Sequence, residues 1–410
     1  MNTNLNVYLC GSKIGVLYED ELSQLSFRYT SIDLASRLSV NLPVRTEEYP
    51  HTYIYPFLEN LTPEGEAFGI LTKSHVSGNK IFSFLDKFGG DCAGAVSFYK
   101  TEPVNTDKVL QEIPSSKLTY IIDKLPEDPL LTSLENPPRL SLAGAQSKFA
   151  VHKIDLKYYR SDDEHPTTHI IKIANTRFPD LLINELFNMK LAQIIQLDAS
   201  HVELEEIQGR QYLEIKRYDR YIEKGNIFRI HQEDFCQALG IVSSKKYQTG
   251  GGANLKNCLN IIKEHSNNPL SDISRFIEWI IFNYLIGNTD AHAKNLSLLH
   301  TKTGIKLAPF YDLLSTEIYS EKIVDHNMAM LINGKGKYKS LKLDDFIMLF
   351  EQLGLNATNL MKSLKNKFSG IIPIAENLRD SNKFLTENKP ICNNIITIIK
   401  KRMSILFPTP

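Results

Sequence analysis

Between Ser271 and Asp312 the chain has little freedom in what it can become. Ile273, Phe276, Ile277, Ile280, Ile281, Tyr284 and Leu285 recur at i, i+3, i+4, i+7, i+8, i+11 and i+12, which is the apolar stripe of one α-helix. Ser271-Asp272 stands where an N-cap belongs, and the helix delivers the chain to Gly287. A polar loop follows, Asn288-Thr289-Asp290-Ala291-His292-Ala293-Lys294-Asn295. Leu296 to Leu299 then reads as a strand, Thr301-Lys302-Thr303-Gly304 as a turn, and Ile305-Lys306-Leu307 as the returning strand. The hairpin ends at Phe310-Tyr311-Asp312. A rigid core helix, a polar loop and a hairpin carrying a second carboxylate are the parts of a positioned site.

Asp290 and Asn295 form D-x-x-x-x-N, the spacing at which a kinase holds its catalytic base and a magnesium ligand. In that pattern Asp290 deprotonates the acceptor hydroxyl, and Asn295 and Asp312 bind Mg²⁺. Lys294 neutralises the moving phosphoryl group, with a plain surface charge as its alternative. His292 has no partner at metal-ligand spacing and reads as support for the loop. Asp and Asn are common in loops, so the remaining chain must supply the nucleotide-binding groups.

Composition bounds the class. The 410 residues, 42% hydrophobic and 23% charged, describe an ordinary globular protein with room for two or three domains. Lys+Arg and Asp+Glu both number 47, which excludes a global electrostatic argument for nucleic-acid or membrane binding. Five scattered cysteines without a C-x-x-C pair suit a reducing cytosol rather than a disulfide framework or zinc site. The start lacks a basic region followed by a long apolar run, so no secretory signal is expected. Phe276 to Ile286 is too short to span a bilayer. The expected location is a reducing cytosol, with no membrane partner.

Along the chain, residues 5 to 29 read as a meander turning at Gly11-Ser12 and near Asp20. Pro56 to Gly65 reads as a loop entering a helix, and Gly89 to Phe98 as a glycine-rich turn into a strand. The proline-rich stretch 101 to 138 reads as a connection containing a helix within Lys108 to Asp123. Ser141-Leu142-Ala143-Gly144-Ala145-Gln146-Ser147-Lys148 is a small-residue loop whose backbone N–H groups can approach phosphate. Thr168 to Ala174 alternates as a strand, and Lys172 in its middle needs an anion if buried. The next helix has Ile183, Phe187, Leu191 and Ile194 as its stripe, with Glu185 on the flank. Glu185 is either the partner of Lys172 or an exposed helical glutamate. Tyr212 to Arg220 reads as the last strand of a small lobe and its hinge, with Lys216 to Tyr218 offering backbone to adenine. Arg217, Asp219 and Arg220 read as hinge salt bridges. His231 to Leu239 resembles a capped helix start, Lys246 to Gly252 a glycine loop, Asn333 to Lys339 a basic loop, and Leu343 to Leu406 helical closure.

The order of these motifs resembles the HipA family of bacterial toxin kinases along nearly the whole chain. The residues that carry it are Ser141 to Lys148, His169-Ile170-Ile171-Lys172, Asn184-Glu185, Arg217 to Arg220, Gln232-Glu233-Asp234, Asn288 to Asn295 and Pro309 to Asp312. Pro56 to Gly65 resembles the small domain preceding the kinase core. The resemblance implies an α+β, two-lobed protein-kinase-like fold preceded by a small α/β subdomain. Its parts are an amino-terminal subdomain at 1–105, a linker at 106–138, a small lobe at 139–222 and a helical large lobe at 223–410. It implies an ATP- and Mg²⁺-dependent serine/threonine kinase. ATP would be held by Ala143, Gly144, Ala145, Gln146, Ser147, Lys148, Lys172, Glu185, Lys216 and Tyr218. It also implies a HipB-like helix-turn-helix antitoxin as partner, DNA reached only through that antitoxin, and an aminoacyl-tRNA synthetase such as glutamate–tRNA ligase as protein substrate. Ser141 would be the autophosphorylated serine, its charge incompatible with a pocket shared with ATP. The sequence departs from the family at Gln146-Ser147-Lys148 and at Lys216, where a glutamate is common; neither change removes a catalytic atom. A small-molecule phosphotransferase and an idle scaffold for a DNA-binding antitoxin are the rival readings.

Overall fold

The computed structural model describes residues 3–32, 37–64, 78–103, 110–129, 131, 139, 146–161, 165–174, 177–178, 180–224 and 226–408. Two compact units divide it: Met1–Asn175 with Glu205–Ser243 and Ser297–Ile305, and Thr176–Leu204 with Ser244–Leu296 and Lys306–Pro410.

The first unit opens with the expected meander of β1 (Thr3–Leu9), β2 (Ser12–Glu19) and β3 (Leu25–Tyr29). β4 (Val96–Tyr99) joins antiparallel to β1, giving the order β3-β2-β1-β4. Alternation sends Leu5, Val7 and Leu9 inward, and the tight turn falls on Cys10 and Gly11, both at positive φ (51° and 81°). Helices His51–Glu59 and Lys80–Phe88 supply Ile54, Phe57, Phe84 and Phe88 to this core. Pro56 therefore lies inside a helix rather than in a loop before one. Its missing N–H leaves only the carbonyl of exposed Thr52 to water, and burial of Ile54, Phe57 and Leu58 outweighs that loss.

Helix Ser115–Lys124 begins after Pro114 and packs Leu118, Ile121 and Ile122 on a second sheet. That sheet contains β5 (Lys148–Ile154), β6 (Lys157–Tyr159), β7 (His169–Ile173), β8 (Val202–Ile207) and β9 (Arg210–Lys216), in the order β6-β5-β7-β9-β8. A buried ion cluster joins the 90–94 turn to the end of β9. Asp91 meets Arg220 at 2.7 Å and takes two bonds from Thr167, while Arg217 grips Asp219 at 2.9 and 2.7 Å. Burial pushes the Asp91 carboxyl up, but the guanidiniums of Arg229, Arg220 and Arg217 together hold it well below the carboxylate range. Arg217, Asp219 and Arg220 are thus structural ion pairs. β10 (Arg220–Glu223) and β11 (Asn226–Arg229) form a hairpin. His231–Asp234, expected at the start of a helix, is instead strand β12, which pairs with β13 (Ser297–Thr301) of the β13–β14 hairpin (β14, Gly304–Leu307). The helix follows at Phe235–Leu239, capped by Asp234 in a capping box with Gln237.

The second unit is mainly helical, and 343 to 406 forms helices as expected. Helix Pro269–Ile286 packs against helices Leu255–His265 and Lys389–Leu406. Its N-cap position is Asn268 with Pro269 at the first turn, not Ser271-Asp272. Asp272 is turned inward, where it accepts from Leu307 N and Ser266 Oγ and pairs with Arg275. Helix Leu181–Ile194 is buried on several faces, yet Ile194, counted in its apolar stripe, is 50% exposed at the last turn. Among the described residues no helix is long and apolar enough to cross a membrane.

Candidate active site

The loop after helix Pro269–Ile286 starts from a left-handed Gly287 (φ 78°), whose N–H closes on the Tyr284 carbonyl. A Cβ there would come 2.9 Å from Glu317 Cβ, so glycine is needed on both counts. Gly287 O accepts from Thr316 N and Glu317 N at 2.9 and 3.0 Å. Glu317 pairs in turn with Arg402, which also donates to Tyr284 O and lies over the Tyr284 and Tyr338 rings.

Asn288 is the node of the loop. Its Nδ2 donates to Asn283 Oδ1 (2.7 Å) and reaches the Asp312 carbonyl (3.4 Å), while its Oδ1 accepts from Asp290 N (3.1 Å). One amide therefore ties the Asp290 backbone to that of Asp312. Asp290 is exposed at the tip, and its carbonyl accepts from His292 N (2.8 Å) and Asn295 Nδ2 (3.2 Å). With its N–H end committed to Asp290, the Asn295 side chain presents Oδ1, the end able to ligate a cation. Ala293–Asn295 forms a single 3-10 turn. Asp312 sits at φ 54°, a left-handed conformation unusual outside glycine. Asn295 and Asp312 are hard oxygen donors that fit Mg²⁺, an ion that takes its remaining ligands from phosphates and water. Among the described residues no group of three or more His, Cys, Asp or Glu forms another metal site.

Lys294 is only 7% exposed, which removes the surface-charge alternative, and its carbonyl accepts from Tyr311 Oη at 2.6 Å. His292 is equally buried and meets the Tyr247 ring edge-on at 5.3 Å. Glu185 is 0% exposed, so the exposed-helix alternative fails for it too. The same helix carries Asn184, whose Oδ1 accepts from Ser315 N and whose Nδ2 donates to Ser315 O, both at 2.8 Å. Three residues beyond Asp312, the chain is thereby locked to that helix. Sequence reasoning used Asn184 only as part of a motif and missed its role; an asparagine inside an apolar helical stripe was the available signal. Tyr247, whose hydroxyl donates to Asp290 Oδ1 at 2.8 Å, was also missed and left no signal of its own.

The nucleotide-facing candidates lie in the first unit. Lys172 is in the middle of β7, flanked by β5 and β9 and 5% exposed. Lys148 faces it in the β5–β7 register. Ser147 O accepts from Ile173 N (3.3 Å), and Gln146 Nε2 donates to Ile173 O (3.4 Å). Lys216 is exposed at the end of β9. Burial, then Asp219, pushes the Tyr218 phenol up, while a hydrogen bond with Ser297 opposes the shift. Ser141, Ala143, Gly144 and Ala145 lie outside the described residues. Asp290, His292, Lys294, Asn295 and Asp312 are gathered in the second unit together with Glu185.

Comparisons with known proteins agree along the chain. Residues 5–99 match the family model of the HipA N-terminal domain, and residues 140–371 that of the HipA-like C-terminal domain. The chain is 36% identical over 88% of its length, and 88% of the other's, to a Sinorhizobium fredii protein, Y4mE, whose name proposes a kinase. It is 30% identical over 75% of its length, and 73% of the other's, to the serine/threonine-protein kinase toxin HipA of Shewanella oneidensis. A solved Shewanella oneidensis structure of HipA with HipB and operator DNA superposes with a TM-score of 0.81 at 26% identity, covering 98% of this chain and 96% of that one. The fold is therefore the two-lobed kinase-like one with its small amino-terminal subdomain.

Proposed function

The chain belongs to the HipA family of toxin kinases, and from that premise we propose that it is an ATP- and Mg²⁺-dependent protein serine/threonine kinase. The observation that carries the reading is the Asn288 node, which holds Asp290 and Asp312 on one side chain while Asn295 is bonded to the Asp290 carbonyl. Asp290 orients the acceptor hydroxyl and takes its proton as the oxygen bonds to phosphorus. Asn295 and Asp312 hold Mg²⁺, which neutralises charge on the phosphates. Lys172 anchors the ATP phosphates, and Glu185 is buried on its own helix. Lys294 stabilises the transferred group, and His292 supports the loop. Gln146, Ser147, Lys148 and the Ala143-Gly144-Ala145 segment cover the phosphates, and Lys216 to Tyr218 offer backbone to adenine.

The substrate is a protein, in the family's pattern an aminoacyl-tRNA synthetase such as glutamate–tRNA ligase, whose modification halts translation in the bacterial cytoplasm. A HipB-like antitoxin restrains the chain and brings it to DNA, and autophosphorylation at Ser141 switches it off. The test is phosphate transfer from labelled ATP by the parent and by Asp290→Ala. The parent labels itself and a protein target, and the variant labels neither while keeping its thermal midpoint. Equal labelling by both refutes the assignment, and label appearing only in small molecules replaces the protein substrate.

A further inference from the structure

We propose that Tyr247 is a positioning residue for the base, holding Asp290 by one carboxylate oxygen so that the other faces the acceptor hydroxyl. This rests on the kinase reading. The Asp290 backbone is fixed on both sides, but its carboxylate is exposed at the loop tip, and the Tyr247 hydroxyl donates to its Oδ1 at 2.8 Å. The phenol does not reach it by chance. The Tyr247 ring stands edge-on to His292, and Ala293 N reaches the Lys246 carbonyl at 3.4 Å. Gln248 anchors the next residue to the Asn327–Ile332 strand, donating to Ala329 O (2.8 Å) and accepting from Leu331 N (2.7 Å). Ala329 N in turn donates to Thr289 O in the catalytic loop (2.8 Å).

The triple glycine closes this strap. Gly250 and Gly251 take positive φ (80° and 79°), Lys245 Nζ donates to Gly250 O (2.7 Å), and Ala253 N donates to Lys245 O (3.1 Å). At Gly252 a Cβ would come 2.0 Å from Tyr247 O and 2.2 Å from Lys245 O, so no side chain fits there. The loop that carries no phosphate-binding signature is the mount of Tyr247.

During transfer the acceptor oxygen bonds to the γ-phosphorus as the bond from phosphorus to ADP breaks. The hydroxyl proton passes to Asp290 Oδ2, and Tyr247 keeps its own proton throughout. A charge-assisted bond to Oδ1 confines the carboxylate to the orientation in which Oδ2 meets the acceptor.

The test is Tyr247→Phe, which keeps the ring against His292 and removes only the hydroxyl, assayed beside the parent and Asp290→Ala. The expected result is a kcat lower by about tenfold or more, from loss of one hydrogen bond to a charged group, with KM for ATP and the thermal midpoint unchanged. Gly252→Ala, which displaces the strap without touching the phenol, gives the same split between kcat and KM. A Tyr247→Phe turnover equal to or above the parent's overturns the proposal, as does a loss matched by a rise in KM or a fall in thermal midpoint. If Asp290→Ala transfers phosphate as fast as the parent, the assignment of Asp290 as base fails and takes this role with it.

Discussion

Replacing Asn184 by alanine tests whether the hairpin carboxylate is held through the neighbouring helix. The Asn184 amide makes two bonds to the backbone of one residue, accepting from Ser315 N and donating to Ser315 O at 2.8 Å each, beside a longer one to Tyr319 Oη at 3.3 Å. Asn184 and Ser315 are both fully buried. Alanine leaves that N–H and that carbonyl without their partner in a dry site, at about 1–3 kcal/mol each, or roughly 2–6 kcal/mol together. Asn188 Nδ2 loses the Asn184 Oδ1 but keeps the Asn184 backbone carbonyl at 2.9 Å, so it adds little. The chain has a single tryptophan, Trp279, buried against Phe276 in the same unit, and its fluorescence reports unfolding there. With a urea slope of about 1–3 kcal/mol per M, the midpoint should fall by about 1 M or more. Ser315 lies just beyond Asp312, so the Mg²⁺ concentration for half-maximal phosphate transfer should rise as well. A midpoint within about 0.2 M of the parent's, with an unchanged Mg²⁺ requirement, refutes the lock.

Two further outcomes concern the first unit. Asp91→Ala removes one of the two carboxylates beside Arg220 and both Thr167 bonds, leaving Asp219 to face the buried guanidiniums of Arg217 and Arg220. It should destabilise by about 3–5 kcal/mol, read by circular dichroism in urea, and a loss under about 1 kcal/mol argues against the cluster's role. Stability should also fall on acidification. Burial, then His300, lowers the His231 pKa from 6.5 to about 4, so the unfolded chain takes up a proton first as pH falls from about 6.5 to 4. The fall amounts to about 3 kcal/mol over that window. Glu233, buried but held low by the His300 and Ser39 bonds, loses its stabilising contribution only below its ordinary 4.5. His231→Gln should flatten the slope between pH 6.5 and 4, and an unchanged slope refutes the assignment.

Much of the element order was legible because it follows from local chemistry. The meander of β1 to β3 alternates cleanly, the β13–β14 hairpin carries its own turn residues, and the stripe from Ile273 to Leu285 has helical period. Errors fell where tertiary burial overrode a local rule. Pro56 was absorbed into a helix because apolar residues around it were buried. Ser271-Asp272 lost the cap to Asn268 because Asp272 was needed inside, against Arg275 and Leu307 N. Ile194 followed the stripe but emerged into solvent at the helix end.

By itself the sequence determined which groups stand on the loop after Ile286 and the family the chain belongs to, since D-x-x-x-x-N, the hairpin and Asp312 are contiguous in the chain. Only the tertiary structure decided that Glu185 and Lys294 are buried, that Asn184 locks the segment after Asp312, and that Tyr247 meets Asp290. Tyr247 and Asp290 are 43 residues apart. Periodicity and turn chemistry act over a few residues, whereas a hydrogen bond across such a separation exists only once packing has closed the loop between its ends.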